Sequence, residues 1–230
     1  MAEKEMSPAL ELSGVKLLAL DLDGTVIHGN VSAHFGKYLY STERFISFWE
    51  VMRLVSFYAK HKMGWKSLRE LHENSLNSLF LGRRAQRFEE SADRFVASET
   101  TKWVRDSLRA VIDRAKKMEI PLAIFSSSPR FLVQRVAHTL EIPHVYATDY
   151  SIDSTGCFSG LGELMDAHAK CKHLQTLTSS LGISRGDVMT FSDDLIDLPF
   201  LEAGGRVCVV DPARKLRKLA SARGWVAIDE

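Results

Sequence analysis

Five short apolar runs punctuate the chain, and each is bounded by residues that end strands. Val15-Lys16-Leu17-Leu18-Ala19-Leu20 stops at Asp-Leu-Asp-Gly, and an apolar run of this length before a turn predicts a buried strand. The runs at Pro121 to Phe125, His144 to Ala147, Asp187 to Phe191 and Arg206 to Val210 read the same way. Trp103 to Lys117, Arg130 to Leu140, Ala167 to Leu181 and Ala213 to Arg223 carry apolar residues at three- and four-residue spacing, the pattern of amphipathic helices. Strand and helix in alternation predict an α/β fold built on a doubly wound, Rossmann-like parallel sheet.

Residues 30–100 interrupt that alternation. They are helix-patterned throughout and contain no proline, which predicts an all-helical domain inserted into a core made of residues 1–29 and 101–230. Inside the insert, residues 45–58 (FISFWEVMRLVSFY) place a polar residue at every third position, so the polar positions wind around the helix. A helix apolar on all sides reads first as buried core, and otherwise as a substrate tunnel, a dimer seam or a membrane-surface contact. After the third strand, Asp153 to Gly160 sets turn residues between short apolar pieces and predicts a small hairpin or lid.

Composition narrows the function. The 230 residues are 45% hydrophobic and 26% charged, normal for a globular chain that needs no structural metal or disulfide to hold a core. Thirty basic against 29 acidic side chains leave a net charge of +1, so electrostatics alone implies no nucleic-acid partner. Cys157, Cys171 and Cys208 are odd in number and form no CxxC pair, as expected of reduced thiols in a cytoplasmic protein. The apolar run before Asp21 is too short for a secretory signal or a membrane span, so the expectation is a chain that stays inside the cell.

In doubly wound sheets, ligands bind outside the carboxyl ends of the strands, and the residues there are acidic and hydroxylic. The first strand ends in Asp21-Leu22-Asp23-Gly24-Thr25, the second in Ser126-Ser127-Ser128, and the fourth in Ser192-Asp193-Asp194-Leu195-Ile196-Asp197. Five carboxylates at one edge repel one another unless a divalent cation joins them, and oxygen-only donors point to Mg²⁺. Each piece alone has an ordinary explanation: aspartates are common in turns, serines cap helices, and a helical lysine such as Lys170 is usually solvated. The four occurring together in this order is what indicates a site.

With those residues in place, the chain resembles the haloacid dehalogenase superfamily of phosphohydrolases, in particular its phosphoserine-phosphatase-like branch with a helical cap inserted after the first motif. The resemblance covers about Leu17 to Asp229 and includes Asp193 to Pro199 and Val210-Asp211-Pro212; the cap matches only in place and helicity. It implies Asp21 as a nucleophile that forms an aspartyl-phosphate, and Asp23 as the acid and base, starting protonated with a raised pKa. Ser126 and the backbone N–H of Ser127 would donate to the phosphate, and Lys170, rather than Lys172, would neutralise Asp21 and the phosphate. Mg²⁺ would take Asp21, the Asp23 carbonyl and Asp193, with Asp197 supporting and Asp194 as a substitute ligand. The presence of Asp23 favours phosphate esters over carbon–halogen bonds, which leave no alkoxide to protonate.

Two positions depart from the branch. Asn30 stands where those phosphoserine phosphatases carry a glutamate, and Ile196 where they carry an asparagine. The expected substrate is therefore a small phosphorylated metabolite selected by an aromatic-rich cap, for a monomer or homodimer. Phosphoserine itself and a lipid head group, as in a phosphatidylglycerophosphatase-like enzyme with membrane contact, are the enzymatic alternatives. A receiver-like phosphoacceptor domain is the non-enzymatic one, although it has no place for a 70-residue insert.

Overall fold

A computed structural model describes residues 10–230. In chain order its strands are β1 (Leu17–Asp21), β2 (Leu122–Pro129), β3 (His144–Thr148), β4 (Tyr150–Ile152), β5 (Phe158–Leu161), β6 (Val188–Ser192), β7 (Arg206–Val210) and β8 (Val226–Ile228). Six of them make one parallel sheet in the order β3-β2-β1-β6-β7-β8, so the α/β doubly wound reading holds. β7 coincides with its apolar run, β2 and β3 extend past theirs, β1 and β6 are displaced toward the carboxyl end, and the sixth strand, β8, lies beyond the last run. Its three residues include the exposed Val226, too short and too wet to produce a pattern.

The helices that flank the sheet are α5 (Asp106–Lys117), α6 (Arg130–Thr139), α7 (Ala167–Leu181), α8 (Leu198–Leu201) and α9 (Arg214–Arg223); before them, between β1 and β2, come α1 (Val31–Ser41), α2 (Phe48–Lys62), α3 (Leu68–Ser75) and α4 (Ala85–Glu99). A single π-helical turn, Leu76–Phe80, joins α3 to α4. The two-residue period of β1 divides the core between the faces of the sheet. Leu18 and Leu20 pack with Leu108, Ile112, Leu132 and Val136, and Leu17 and Ala19 with Leu174, Leu177 and Phe200. The expected hairpin is present as β4 and β5, paired antiparallel across a turn at 153–157.

The apolar helix of the insert is not buried core. It begins at Phe48, and none of its residues is fully buried; Trp49 is 74% exposed and Val55 54%. The helix sits at the rim, where only one side finds a partner: Val51 and Leu54 pack inward, while Phe48, Trp49 and Met52 face out. Its start is fixed by a Ser47–Glu50 capping box and by an ion pair from Arg83 to Glu50. Among the described residues, no helix is long and apolar enough to cross a membrane.

Candidate active site

Sheet register sets the floor of the site. Asp21 pairs with Phe125, and Leu20 with Phe191, so the ends of β1, β2 and β6 are level and their following residues meet. Gly24 makes the turn after β1 with φ +83°, and a Cβ there would fall inside the Asp193 carboxylate; only glycine allows both. From behind, the buried Arg105 donates to the Gly24 carbonyl from Nε at 3.2 Å and Nη2 at 3.0 Å, and is itself paired with Asp211. Nothing in the sequence pattern singles Arg105 out, because its partner lies 106 positions away.

Lys170 is the buried cation that faces Asp21. Its Nζ lies 2.6 Å from Asp21 Oδ1 and 2.8 Å from Asp197 Oδ2. Burial alone would depress its pKa, but Asp197 and Asp21 outweigh that and hold it above the ordinary lysine value. Lys172, two residues on, is exposed. On the other side of Asp21, the Thr25 hydroxyl is 3.1 Å from Asp21 Oδ2 and 3.1 Å from Asp193 Oδ1. Thr25 stands inside the first motif and carried no assigned role, yet it ties two of the expected ligands together. A hydroxyl has one proton to give, so one of those two oxygens requires a proton or a cation of its own.

The charge balance says the same. Burial raises the Asp21 pKa well above the carboxylate range against the pull of Lys170, with Asp197, Asp193 and Asp23 adding to it. Asp193 is pushed up to about 6 by burial despite its bond from Thr25. Excess negative charge around one ammonium, with all-oxygen donors at Asp21 and Asp193, fits a hard divalent cation such as Mg²⁺. The five aspartates do not form one ligand set, however. Among the described residues no three acidic, histidine or cysteine side chains group as a metal site. Asp197 is occupied by Lys170 and by the Ser192 hydroxyl at 2.9 Å, and Asp194 turns to Lys62 and the Ile196 N–H.

Asp23 accepts three hydrogen bonds: from the Val31 N–H at 2.7 Å, the Ser128 hydroxyl at 2.7 Å and the Ser126 hydroxyl at 3.0 Å. Those bonds favour the carboxylate, but burial exceeds them and its pKa is raised. Ser126 and Ser128 are thus both turned to Asp23, but Ser126 is wholly buried and off the cavity wall, whereas Ser128, with Ser127, also lines the cavity. The resemblance selects Ser126 and Ser127 from the triple serine and passes over Ser128, because the residues alone do not separate the three. Asn30 caps α1, its Oδ1 accepting from the Ala33 N–H at 3.0 Å.

Above this floor lies a cavity of about 780 Å³ between the sheet edge and α1, α2, α3 and the π-helical turn. His72 of α3 enters it and shares a 3.0 Å hydrogen bond between Nδ1 and the Tyr150 hydroxyl. Burial lowers the His72 pKa from 6.5 to about 4, His61 adding to the effect. Because the folded form resists protonation, this histidine's contribution to stability is complete above about pH 6.5 and is lost as pH falls toward 4. The loss should approach about 3 kcal/mol, and urea denaturation of His72→Phe should show a flatter acid limb than the wild type.

A sequence model of the haloacid dehalogenase-like hydrolase family matches residues 18–202. The chain belongs to that family. This hydrolase is 24% identical to a phosphoserine phosphatase of Mycobacterium tuberculosis over 97% of its own length and 73% of the relative's. It is 30% identical over 127 residues to the inhibition of morphological differentiation protein of Streptomyces azureus, covering 55% of this chain and 46%, about half, of that one. Among solved structures, a Bordetella pertussis Tohama I protein of unknown function superposes with TM-score 0.81 at 22% identity, over 94% of this chain and 99% of the other. A substrate-bound phosphoserine phosphatase gives 0.68 at 14% identity over 94% and 93%. At these identities the structural likeness is one of fold.

Proposed function

We propose that this hydrolase cleaves phosphomonoesters by way of a covalent phosphate on Asp21. The observation that carries the reading is Asp21 itself, held between the Lys170 ammonium and the Thr25 hydroxyl on the cavity floor, with Asp23 two residues on. An Asp21 oxygen attacks phosphorus as the ester P–O bond breaks, and Asp23 gives its proton to the departing alkoxide. The raised Asp23 pKa supports its starting as the acid. In the second step Asp23, now a carboxylate, takes a proton from water as the water oxygen bonds to phosphorus and the acyl-phosphate breaks. Lys170, and the cavity-lining Ser127 and Ser128, are placed to meet the charge spread over the transferring oxygens.

Mg²⁺ is the cofactor we assign; Asp21, Asp193 and the Asp23 carbonyl would hold it, and it would supply charge neutralisation for the phosphoryl group. Asp197 acts through Lys170. Helices α1 to α4 serve as the cap, and Lys62 reaches from it to Asp194 on the core at 3.3 Å. A closed cap excludes bulk water while the phosphoryl group transfers. The substrate is a small phosphorylated molecule; the side chains of residues 30–80 that line the cavity include no carboxylate to receive the ammonium of phosphoserine.

Phosphate release from p-nitrophenyl phosphate tests the reading. Chelating the metal should lower turnover more than about 100-fold, since metal stabilisation of this kind is worth several kcal/mol. Undiminished release in chelator would remove Mg²⁺ from the account. Accumulation of an acyl-phosphate without release would instead indicate a receiver-like phosphoacceptor.

A further inference from the structure

The cavity over Asp21 and Asp23 is continuous with a wall whose inner stretch is apolar. Phe35, Leu39, Val51, Leu54, Leu71 and Phe80 line it from α1, α2, α3 and the π-helical turn. Its volume of about 780 Å³ lies in the upper part of the ~300–1,000 Å³ range of small-molecule sites, far more than a phosphate group fills. On the cap side His72 is engaged with Tyr150, His61 with the Lys66 carbonyl and Lys62 with Asp194, while Lys37 and Tyr40 stand at the exposed rim. A charged substrate group placed against Leu39, Val51, Leu54 and Phe80 would lose its water without gaining a partner.

One residue indicates that the space is kept open. Gly36 lies in the middle of α1, lines the cavity, and has no positive φ to require glycine. A Cβ added there meets nothing within 4 Å. Glycine inside a helix is unfavourable relative to alanine, so neither backbone nor packing accounts for it, and the absence of a side chain preserves cavity volume.

We propose that the substrate is the phosphomonoester of an alcohol with a long apolar chain, its phosphate over Asp21 and its chain along the wall between α1 and α2. This rests on the phosphomonoester reading above and names the substrate class for the same site. The shared chemistry is a phosphate head on a hydrocarbon tail, delivered free in solution or from a bilayer.

Butyl, octyl and dodecyl phosphonates, which resist hydrolysis, test the tail separately from the reaction. Calorimetric titration of the Mg²⁺-loaded protein below their micelle concentrations should show affinity rising about three- to fourfold per methylene, hence on the order of 100-fold from butyl to octyl. Gly36→Leu should keep butyl affinity and lose at least about tenfold for dodecyl, because its side chain occupies the space of several methylenes. Val55→Asp, at an exposed cavity-lining position, should flatten the series without lowering the melting temperature. A flat wild-type series would overturn the proposal and leave the phosphatase reading standing. A steep series with no hydrolysis of any ester would support the tail site and overturn the phosphatase reading. Turnover of decyl phosphate, free or in phosphatidylcholine vesicles, supports the proposal in either form, and the faster form identifies the source.

Discussion

Asp21→Asn is expected to lower turnover by at least about four orders of magnitude, the scale of losing a covalent nucleophile, while leaving the protein as stable as before or more so. Both halves follow from one feature of the site. Asp21 is buried with a pKa raised well above the carboxylate range, so above the ordinary value of 3.8 its ionised form subtracts from stability. Asparagine removes that charge without changing shape. Its carbonyl can still accept from Lys170, and its amide can donate to the Thr25 oxygen, which frees the single Thr25 proton for Asp193. Phosphate release and urea denaturation of the same preparation check the pair of outcomes. Turnover within tenfold of wild type would remove Asp21 from the nucleophile's role, and a sharp loss of stability would show that its charge holds the fold rather than the chemistry.

Opposed effects of this kind mark a site at which local stability is given up for reactivity, and they also explain which parts of it the sequence reveals. Asp21, Asp23 and Asp193 stand out as candidates because each follows a buried strand, whereas Lys170 is picked from its helix only through the family resemblance. The parallel sheet is legible because β1, β2, β6 and β7 each contain a short, mostly apolar run. What escapes is whatever depends on distant pairing or on exposure. Arg105 is recognised only once Asp211 and the Gly24 carbonyl stand beside it. The separate fates of Ser126 and Ser128 depend on the path of β2 past Asp23. The periodicity of α2 was misleading because apolar composition reports what a helix could bury, not whether a second surface is there to cover it. In this fold the inward side borders an open cavity and the outward side borders solvent.

Lys170→Met should be the most destabilising single change at the site, costing about 3–5 kcal/mol near neutral pH in the presence of a chelator. Methionine matches the lysine stem in length and packs as well, so the loss comes from the carboxylates left behind. Asp21 and Asp197 are both buried and both accept a hydrogen bond from this one ammonium, at 2.6 and 2.8 Å, and removing one partner of a buried ion pair is far costlier than never having had it. The pH dependence separates this cause from a simple packing defect. Lys170 is the main influence holding the Asp21 pKa down, so without it that pKa climbs further. A carboxyl whose folded pKa lies above its unfolded value gains stability as it takes up a proton. The difference between variant and wild type should therefore shrink as pH falls from 7 toward 4, where a protonated Asp21 no longer needs a cation. The double change Lys170→Met with Asp197→Asn should recover part of the loss at pH 7, since the two positions share one interaction. Denaturant titrations at both pH values give the answer directly: a penalty that stays constant with pH and adds fully to that of Asp197→Asn would mean that Lys170 supports the core through its stem alone.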